Sequence, residues 1–314
     1  KTLNNHKIEE ILSESSTLRI RKITADNGNA FTYRGTNTYV VGNKNLAVID
    51  PGPNLRSHLT RLKQSFEKSQ LTHIILTHSH QDHCASAIQL SRETSAPIYL
   101  FDNQKCSRNE LLARIQEDHS EVKIKKDLID QIIIRTVKDG ERLTNNEWCL
   151  EVIATPGHMF DHICLALKNP EIIFTGDHVM GWSSTVIIPP MGNMSHFFLS
   201  LKKLLDRHEN TYFPGHGPVI TNAKKYVRSQ LAHREHRKNQ ILQLLQIEAQ
   251  TPKEIAKFIY PGVDINLQGA AESNVYAHLL NLIEKKIART NNKPTIKSRF
   301  FLNDKLIKNK STMF

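Results

Sequence analysis

Three histidines and one aspartate lie within six consecutive residues of this chain. The segment reads His78-Ser79-His80-Gln81-Asp82-His83 and follows the apolar run Ile74-Ile75-Leu76. Imidazole and carboxylate groups together suit zinc and similar divalent metals. Four potential ligands at this spacing are too many for one face of a strand or helix, so we expect them to share a loop. The segment therefore predicts a metal site at the end of a buried strand.

Four other positions repeat the pattern of an apolar run followed by a histidine or aspartate. They are Asp50, His158, Asp177 and His216. In the last three, a glycine directly precedes the candidate, and glycine permits the tight backbone path that turns a side chain inward. One such position would mean little. Their repetition predicts that these side chains converge on the same site as the histidine segment.

The elements that must position these residues alternate between strands and helices. Periodicity predicts helices at 55–69 and 83–93 and an inserted helical and polar stretch at 103–130. It predicts strands at 38–42, 45–50, 72–76, 97–100, 132–134, 148–154, 163–167 and 172–174. This order indicates a layered α/β arrangement with helices outside.

In their order along the chain, the motifs resemble those of the metallo-β-lactamase superfamily. The resemblance covers roughly residues 20–220 and implies an αββα sandwich, an α/β fold. It implies that two divalent ions share a hydroxide whose attack hydrolyses the substrate. Zn²⁺ is the first expectation, and Mn²⁺ or Fe²⁺ is compatible with the same ligands. No serine or cysteine nucleophile is then required.

The resemblance also implies a role for each residue of the constellation. One ion would be held by His78, His80 and His158, and the other by Asp82, His83 and His216. Asp177 would bridge both ions, and Asp82 and Asp177 would be the catalytic carboxylates. Asp50 would accept hydrogen bonds that orient ligand groups. Three residues near these positions in the sequence are candidate substrate contacts: His162, His178 and Trp182.

The pattern changes after residue 221, which predicts a catalytic domain at 1–221 and a second domain at 222–314. Helices are predicted at 222–247, from the capping-box sequence Thr251-Pro252-Lys253-Glu254, and at 268–287. A hairpin follows at 286–302. This order of three helices and a hairpin is that of a winged-helix-like unit, here with a basic tail that contains Lys305, Lys308 and Lys310.

Three segments narrow the choice of substrate class: 35–42, 176–183 and 214–220. They resemble the lactamase-like-protein-2 group, whose mitochondrial animal members are endoribonucleases that act on single-stranded RNA and carry a winged-helix-like extension. A net charge of +11 and a pI near 9.4 fit capture of a phosphate chain. Against RNA, aromatic residues make up only 7% of the chain, and no sequence cluster resembles a base-stacking platform.

Two alternatives to RNA cleavage stay open. The same metal centre could hydrolyse a small thioester, ester or lactone, as in the glyoxalase II type of enzyme. The C-terminal unit could instead be a nucleic-acid-binding module on a structural metal domain. Its third helix, Gln268 to Leu282, contains no lysine or arginine, which argues against readout of bases.

Composition and segment lengths exclude other classes of protein. The sequence contains no run of 18 apolar residues, so no membrane span is predicted. Residues 1–16 lack the apolar core of a secretory signal, so none is expected there. Four cysteines without framework spacing are expected to be reduced thiols, typical of a cytoplasmic protein. The sequence leaves the oligomeric state open, with a homodimer as one option.

Overall fold

The computed structural model describes residues 9–11, 18–101 and 132–303. The predicted stretch at 103–130 and the basic tail lie outside these residues. The chain groups into two compact units that interleave along the sequence. The first comprises Lys1–Thr155, Asp161–Ser183 and His208–Ala223; the second comprises Pro156–Phe160, Ser184–Arg207 and Lys224–Phe314.

Two sheets form the first unit. The larger sheet contains, in spatial and chain order, β1 (Glu9–Ile11), β2 (Ile20–Thr24), β3 (Asn37–Val41), β4 (Asn45–Ile49), β5 (Gln70–Ile75), β6 (Ile98–Phe101) and β7 (Ile134–Val137). Strands β1 to β4 pair antiparallel, and β4 to β7 pair parallel. The carboxyl ends of β4 and β5 therefore lie side by side at one edge.

The second sheet has the spatial order β12-β11-β10-β9-β8. Its strands are β8 (Arg142–Thr144), β9 (Cys149–Ala154), β10 (Ile163–Leu167), β11 (Ile172–Gly176) and β12 (Tyr212–Pro214). All neighbours pair antiparallel except β11 and β12, which are parallel. The carboxyl ends of β11 and β12 are thus adjacent too, which brings Asp177 and His216 to the same edge.

Alternating side chains of the larger sheet fill two separate cores. Successive residues of a strand point to opposite faces. Val48 and Ile74 pack on the face covered by the helices α1 (Arg56–Gln64), α2 (Gln81–Cys84) and α3 (Ala87–Thr94). Their neighbours Ile49 and Ile75 face the second sheet and meet residues such as Phe174. A layer of helices and two stacked sheets result.

The second unit contains the winged-helix part of the chain. Its elements are α4 (Met194–Leu205), α5 (Ala223–Ile247), α6 (Pro252–Ile259), α7 (Gln268–Glu284), β13 (Ala288–Arg289) and β14 (Phe301–Leu302). The predicted capping box is present: the Thr251 hydroxyl accepts from the backbone of Glu254, whose carboxylate accepts from the backbone of Thr251. Apolar residues of α5, α6, α7 and the β13–β14 pair form one core.

Several element bounds differ from the sequence-based prediction. The helix predicted at 83–93 is two helices, α2 and α3, and the helix predicted at 55–69 ends at Gln64. Apolar periodicity continues across these breaks, so the pattern alone did not reveal them. Cys84, Cys149 and Cys164 form no disulfide. Within the described residues, no helix is long and apolar enough to span a bilayer.

Candidate metal centre

The site lies at the edge where β4, β5, β11 and β12 end. Asp50 directly follows β4 and adopts a left-handed backbone conformation with φ 52°. One oxygen of its carboxylate accepts from the backbone N–H of Thr77 at 2.8 Å, and the other accepts from the Thr77 hydroxyl at 2.7 Å. These contacts tie the end of β4 to the start of the histidine loop after β5.

The segment His78–His83, predicted to be a loop, is a loop in its first half and a short helix in its second half. His78 lies in the loop, and His80 is the N-cap of α2, with φ −70° and ψ 141°. Nε2 of His78 lies 3.0 Å from Nδ1 of His80. Asp82 and His83 lie on α2 itself. The turn of this short helix separates the four side chains into two groups, which a single strand or a long helix could not do.

Hydrogen bonds to the far side of two imidazoles set their tautomers. Nδ1 of His83 donates to the Asp50 carboxylate at 2.9 Å, and Nδ1 of His216 donates to the backbone oxygen of Gly35 at 3.2 Å. Because an ionised carboxylate or a carbonyl oxygen only accepts, Nδ1 carries the proton in both rings. The lone pair of each neutral ring is therefore on Nε2, ready to bind a metal.

Four ligand atoms converge at a spacing that suits one metal ion. Nε2 of His83 and Nε2 of His216 are 3.3 Å apart. Each lies 3.2 to 3.4 Å from Oδ2 of Asp82 and from Oδ1 of Asp177. These five distances are close to the 3.3 Å edge of a regular tetrahedron whose centre lies about 2.0 Å from each corner, a length that matches zinc–nitrogen and zinc–oxygen bonds in proteins. This donor set therefore fits a zinc-sized divalent ion.

The structure brings the predicted ligands into two groups. Their ligand atoms lie within 4.8 Å of one another in each group, which are His78, His80, His158 and Asp177, and Asp82, His83 and His216. Asp177 belongs to the first group, and its Oδ1 also lies close to both histidines of the second.

The electrostatic field of the site favours positive charge. Burial lowers the pKa of His83, but the carboxylates of Asp82, Asp177 and Asp50 outweigh this effect and raise it well above its usual value. Burial also lowers the pKa of His216, and Asp177 and Asp82 raise it to about 9. Burial raises the pKa of Asp177, yet the two histidines hold it well below its usual range. The same field would stabilise a bound cation.

Two of the three candidate substrate contacts lie beneath the site. His162 and His178 are 0% and 1% exposed, so they offer almost no surface to a substrate. His162 instead accepts from the backbone N–H of Asp177 at 3.1 Å and contacts the Thr155 hydroxyl through Nδ1 at 2.9 Å. The contact of His162 or His178 with substrate stays a prediction. Proximity in sequence, of His178 to Asp177 and of His162 to His158, did not reveal that both rings are buried.

Two residues near the site, Thr36 and Tyr33, were not among the predicted site residues. The hydroxyl of Thr36 donates to Oδ2 of Asp82 at 2.9 Å, and its backbone pairs with that of His216. The third candidate contact, Trp182, stacks on Tyr33 with ring centroids 5.1 Å apart. Tyr33 and Thr36 are far from the ligands in sequence and follow no apolar run. A search for polar residues just before β3, at the same sheet edge, would have found Thr36.

The chain belongs to the metallo-β-lactamase superfamily, whose family description matches residues 32–216. A second description, the β-lactamase-associated winged helix domain, matches residues 251–293. The predicted fold, a metallo-β-lactamase fold with a winged-helix extension, is thereby confirmed. The superfamily consists typically of hydrolases, and the His and Asp cluster of this chain offers ligand atoms that could hold a metal ion.

Similar proteins match most of the chain. A β-lactamase-like protein 2 homolog of Drosophila melanogaster is 29% identical over 279 residues, which cover 85% of this chain and 88% of that protein. An atrochrysone carboxyl ACP thioesterase of Claviceps purpurea is 30% identical over 237 residues, 73% of this chain and 66% of that protein. The crystal structure of a β-lactamase domain protein from Burkholderia ambifaria has a TM-score of 0.74 at 16% identity, covering 90% of this chain and 91% of that one.

Proposed function

We propose that this protein is a hydrolase that uses two divalent metal ions, with Zn²⁺ as the first choice, to cleave phosphodiester bonds in single-stranded RNA. The observation that carries the metal centre is the spacing of 3.2 to 3.4 Å between Nε2 of His83 and Nε2 of His216, and from each of them to the carboxylate oxygens of Asp82 and Asp177. Bound ions of this kind lower the pKa of water and stabilise negative charge that develops on the group under attack.

The chain's own residues divide the work in this proposal. His83 and His216 would hold one metal with Asp82, and His78, His80 and His158 would hold the other. Asp177, whose Oδ1 lies near both histidines of the second group, serves both metals.

Asp82 differs from the two histidines in its access to solvent. Its side chain is 28% exposed, whereas His83 and His216 are buried. Water and substrate therefore approach on the Asp82 side. Its carboxylate, held by the Thr36 hydroxyl, would orient the attacking water.

An aromatic pair beside the site supports a nucleic-acid substrate. Tyr33 is 40% exposed and Phe31 is 45% exposed, and Tyr33 stacks on Trp182 at an interplanar angle of 19°. The guanidinium of Arg34 lies 5.6 Å from the Tyr33 ring centroid. Bases of single-stranded nucleic acids stack on exposed rings of this kind. No sequence cluster indicated this pair, because Tyr33 and Trp182 come from distant parts of the chain.

The loop that carries the aromatic pair is held in place by hydrogen bonds of its own. The carboxamide oxygen of Asn29 accepts from the backbone N–H groups of Phe31 and Thr32, and the Thr32 hydroxyl donates to the backbone oxygen of Asn27. Tyr33 has φ 58°, an uncommon conformation for a residue with a side chain. A loop fixed in this way presents Tyr33 without a further cost in chain entropy when a base binds.

The test of the proposed function is cleavage of a labelled, unstructured RNA by the metal-replete protein. We expect cleavage that the His80→Ala variant loses together with bound metal. The same RNA annealed to its complement should be cleaved more slowly, since paired bases cannot stack on Tyr33. Metal-replete protein that leaves the single strand intact would overturn the RNA assignment.

Thioester hydrolysis is the second candidate, because a thioesterase is similar to 73% of this chain at 30% identity. The same metal centre would serve, with Tyr33 and Trp182 contacting an acyl group. A panel of acyl-carrier-protein and small-molecule thioesters separates the two candidates. Turnover of a thioester by a protein that leaves RNA intact would favour this candidate.

The alternative of a nucleic-acid reader is not favoured. Asn274, His278 and Asn281 lie on one face of α7, and all three are buried. A recognition helix must expose its polar face to enter the major groove. In this proposal, α7 has another role.

A further inference from the structure

Arg234 on α5 is a buried cation that is not neutralised by a carboxylate. Its residue is 1% exposed, and within the described parts of the chain no acidic side chain forms an ion pair with it. Burial lowers the pKa of its guanidinium to about 10. A buried charge is costly unless it is hydrogen-bonded. Arg234 is therefore expected to serve a purpose that offsets this cost.

The partners of Arg234 are backbone and amide dipoles of the same unit. One Nη donates to the backbone oxygen of Thr185, and the other donates to Oδ1 of Asn274 on α7 at 3.3 Å. The guanidinium also lies 5.1 Å from the ring centroid of Phe197 on α4. Arg234 thus joins α5 and α7 to the segment that begins at Thr185.

Asn274 forms a second hydrogen bond that holds the segment Thr185–Ile187. Its Oδ1 accepts from the backbone N–H of Ile187 at 2.9 Å, in addition to the bond from Arg234. The backbone is therefore held at the carbonyl of Thr185 and at the N–H of Ile187, one on each side of Val186. Two fixed points so close together leave the peptide unit of Val186 little freedom to rotate.

The carbonyl of Val186 is the partner of a predicted metal ligand. Nδ1 of His158 lies 2.8 Å from it and must donate, because a carbonyl only accepts. This bond leaves the lone pair of the neutral ring on Nε2. The segment of His158 is held as well, since the backbone oxygen of Gly157 accepts from Asn193 at 2.8 Å.

We propose that Arg234 and Asn274 are positioning residues for the metal centre: by fixing Thr185–Ile187, they aim the Val186 carbonyl at His158 and set its tautomer and direction. The inference rests on the proposed function, because it treats His158 as a ligand. It assigns a role to the winged-helix extension. Helices α5 and α7 contribute to metal affinity through a chain of hydrogen bonds that ends at His158.

The test measures metal binding, not turnover, in four variants of the full chain. Asn274→Leu and Arg234→Met remove the polar contacts. Asn274→Asp keeps an acceptor at Oδ1. Val275→Ala, on the buried apolar face of α7, is the matched control for loss of packing. Chelator competition gives the affinity for each metal, and the visible spectrum of the Co²⁺-loaded protein reports the ligands of each site.

We expect Asn274→Leu and Arg234→Met each to lower the affinity for one of the two metals by about tenfold. This is the low end of the effect of replacing a hydrogen-bond partner of a metal ligand. The visible absorption band of Co²⁺ in that site should shift, and the band of Co²⁺ in the other site should not change. Asn274→Asp should retain nearly wild-type affinity, which keeps the test valid if Arg234→Met does not fold. Val275→Ala should lower the melting temperature without changing either affinity.

The inference is overturned if the two polar variants bind both metals as the wild type does, or if Val275→Ala weakens metal binding equally. In either case a wild type that holds two metals leaves the proposed function standing. A wild type that binds no divalent metal would overturn both the inference and the proposed function. The wild type and His80→Ala should then both leave RNA intact, which is an independent check.

Discussion

The carboxylate of Asp50 accepts a hydrogen bond of 2.9 Å from Nδ1 of His83, and the same oxygen accepts from the hydroxyl of Thr77. Asp50 follows β4, and His83 lies on α2 after the neighbouring parallel strand β5. One buried carboxylate thus fixes both the tautomer of a metal ligand and the path of the loop that carries the others. The first prediction follows from this contact.

Replacement of Asp50 by Asn should weaken metal binding without removing any ligand. The amide has the shape of the carboxylate, but it can present an N–H toward Nδ1 of His83 and so favour the wrong tautomer. We expect a loss of about tenfold to a hundredfold in metal affinity, measured by chelator competition. Glu147→Gln is the control, since Glu147 accepts from the backbone of Asn43 and Lys44 at a turn. Unchanged metal affinity in Asp50→Asn would contradict the proposed orientation.

Gly215→Ala should disturb the centre through one methyl group. A Cβ at this position would lie 2.7 Å from Oδ1 of Asp177 and 2.7 Å from Cε1 of His83. Both groups are proposed ligands with little room to move, so we expect at least about a tenfold loss of metal affinity.

Gly269→Ala is the matched control for Gly215→Ala. No atom lies within 4 Å of a Cβ added at Gly269, on α7, so this change should leave metal binding intact and raise stability by about 0.4 to 1 kcal/mol. Metal titration and thermal unfolding of both variants provide the comparison. Equal metal affinity in the two variants would mean that Asp177 and His83 can shift freely.

Tyr33→Ala should weaken the binding of single-stranded RNA but spare the metals. Loss of one stacking ring costs about 1 to 3 kcal/mol, so we expect KM to rise about tenfold or more, with metal content unchanged. Tyr33→Phe retains the ring and should behave as the wild type. If Tyr33→Ala cleaves RNA with an unaltered KM, the aromatic pair does not bind the substrate. That conclusion does not depend on the metal content of the variant.

Stability should fall in mild acid because of His58, which is buried and contacts the Thr38 hydroxyl at 2.9 Å. Burial and the charge of Arg61 lower the pKa of His58 to about 4, from 6.5. Between these values the unfolded chain binds more protons than the folded chain, so acid favours unfolding. The contribution of His58 is complete above pH 6.5 and is lost toward pH 4, at about 1.4 kcal/mol per pH unit.

Urea unfolding at several pH values checks the contribution of His58. The His58→Gln variant should show a flatter dependence of unfolding free energy on pH between 6.5 and 5 than the wild type, whatever its stability at neutral pH. His236→Gln, at an exposed position of α5, should keep the wild-type slope. A wild-type slope in His58→Gln would show that the histidine is not held neutral.

The sequence by itself predicted the candidate ligands that the structure brings together, and the order of the elements that carry them. Asp50, Asp177 and His216 each follow an apolar run, and a strand that ends at a sheet edge leaves its next residue at that edge. Such signals are local, so they survive without knowledge of the fold. The two-residue spacing of His78 and His80 is local in the same sense, as is the capping box at Thr251.

Only the tertiary structure decided which surfaces meet. The stacking of Tyr33 on Trp182 joins distant loops, and the burial of His162 depends on which side of the backbone its ring occupies. The burial of Asn274 likewise depends on tertiary contacts. A polar side chain has the same periodicity whether water or a buried backbone segment satisfies its hydrogen bonds, and only packing tells which of the two is present.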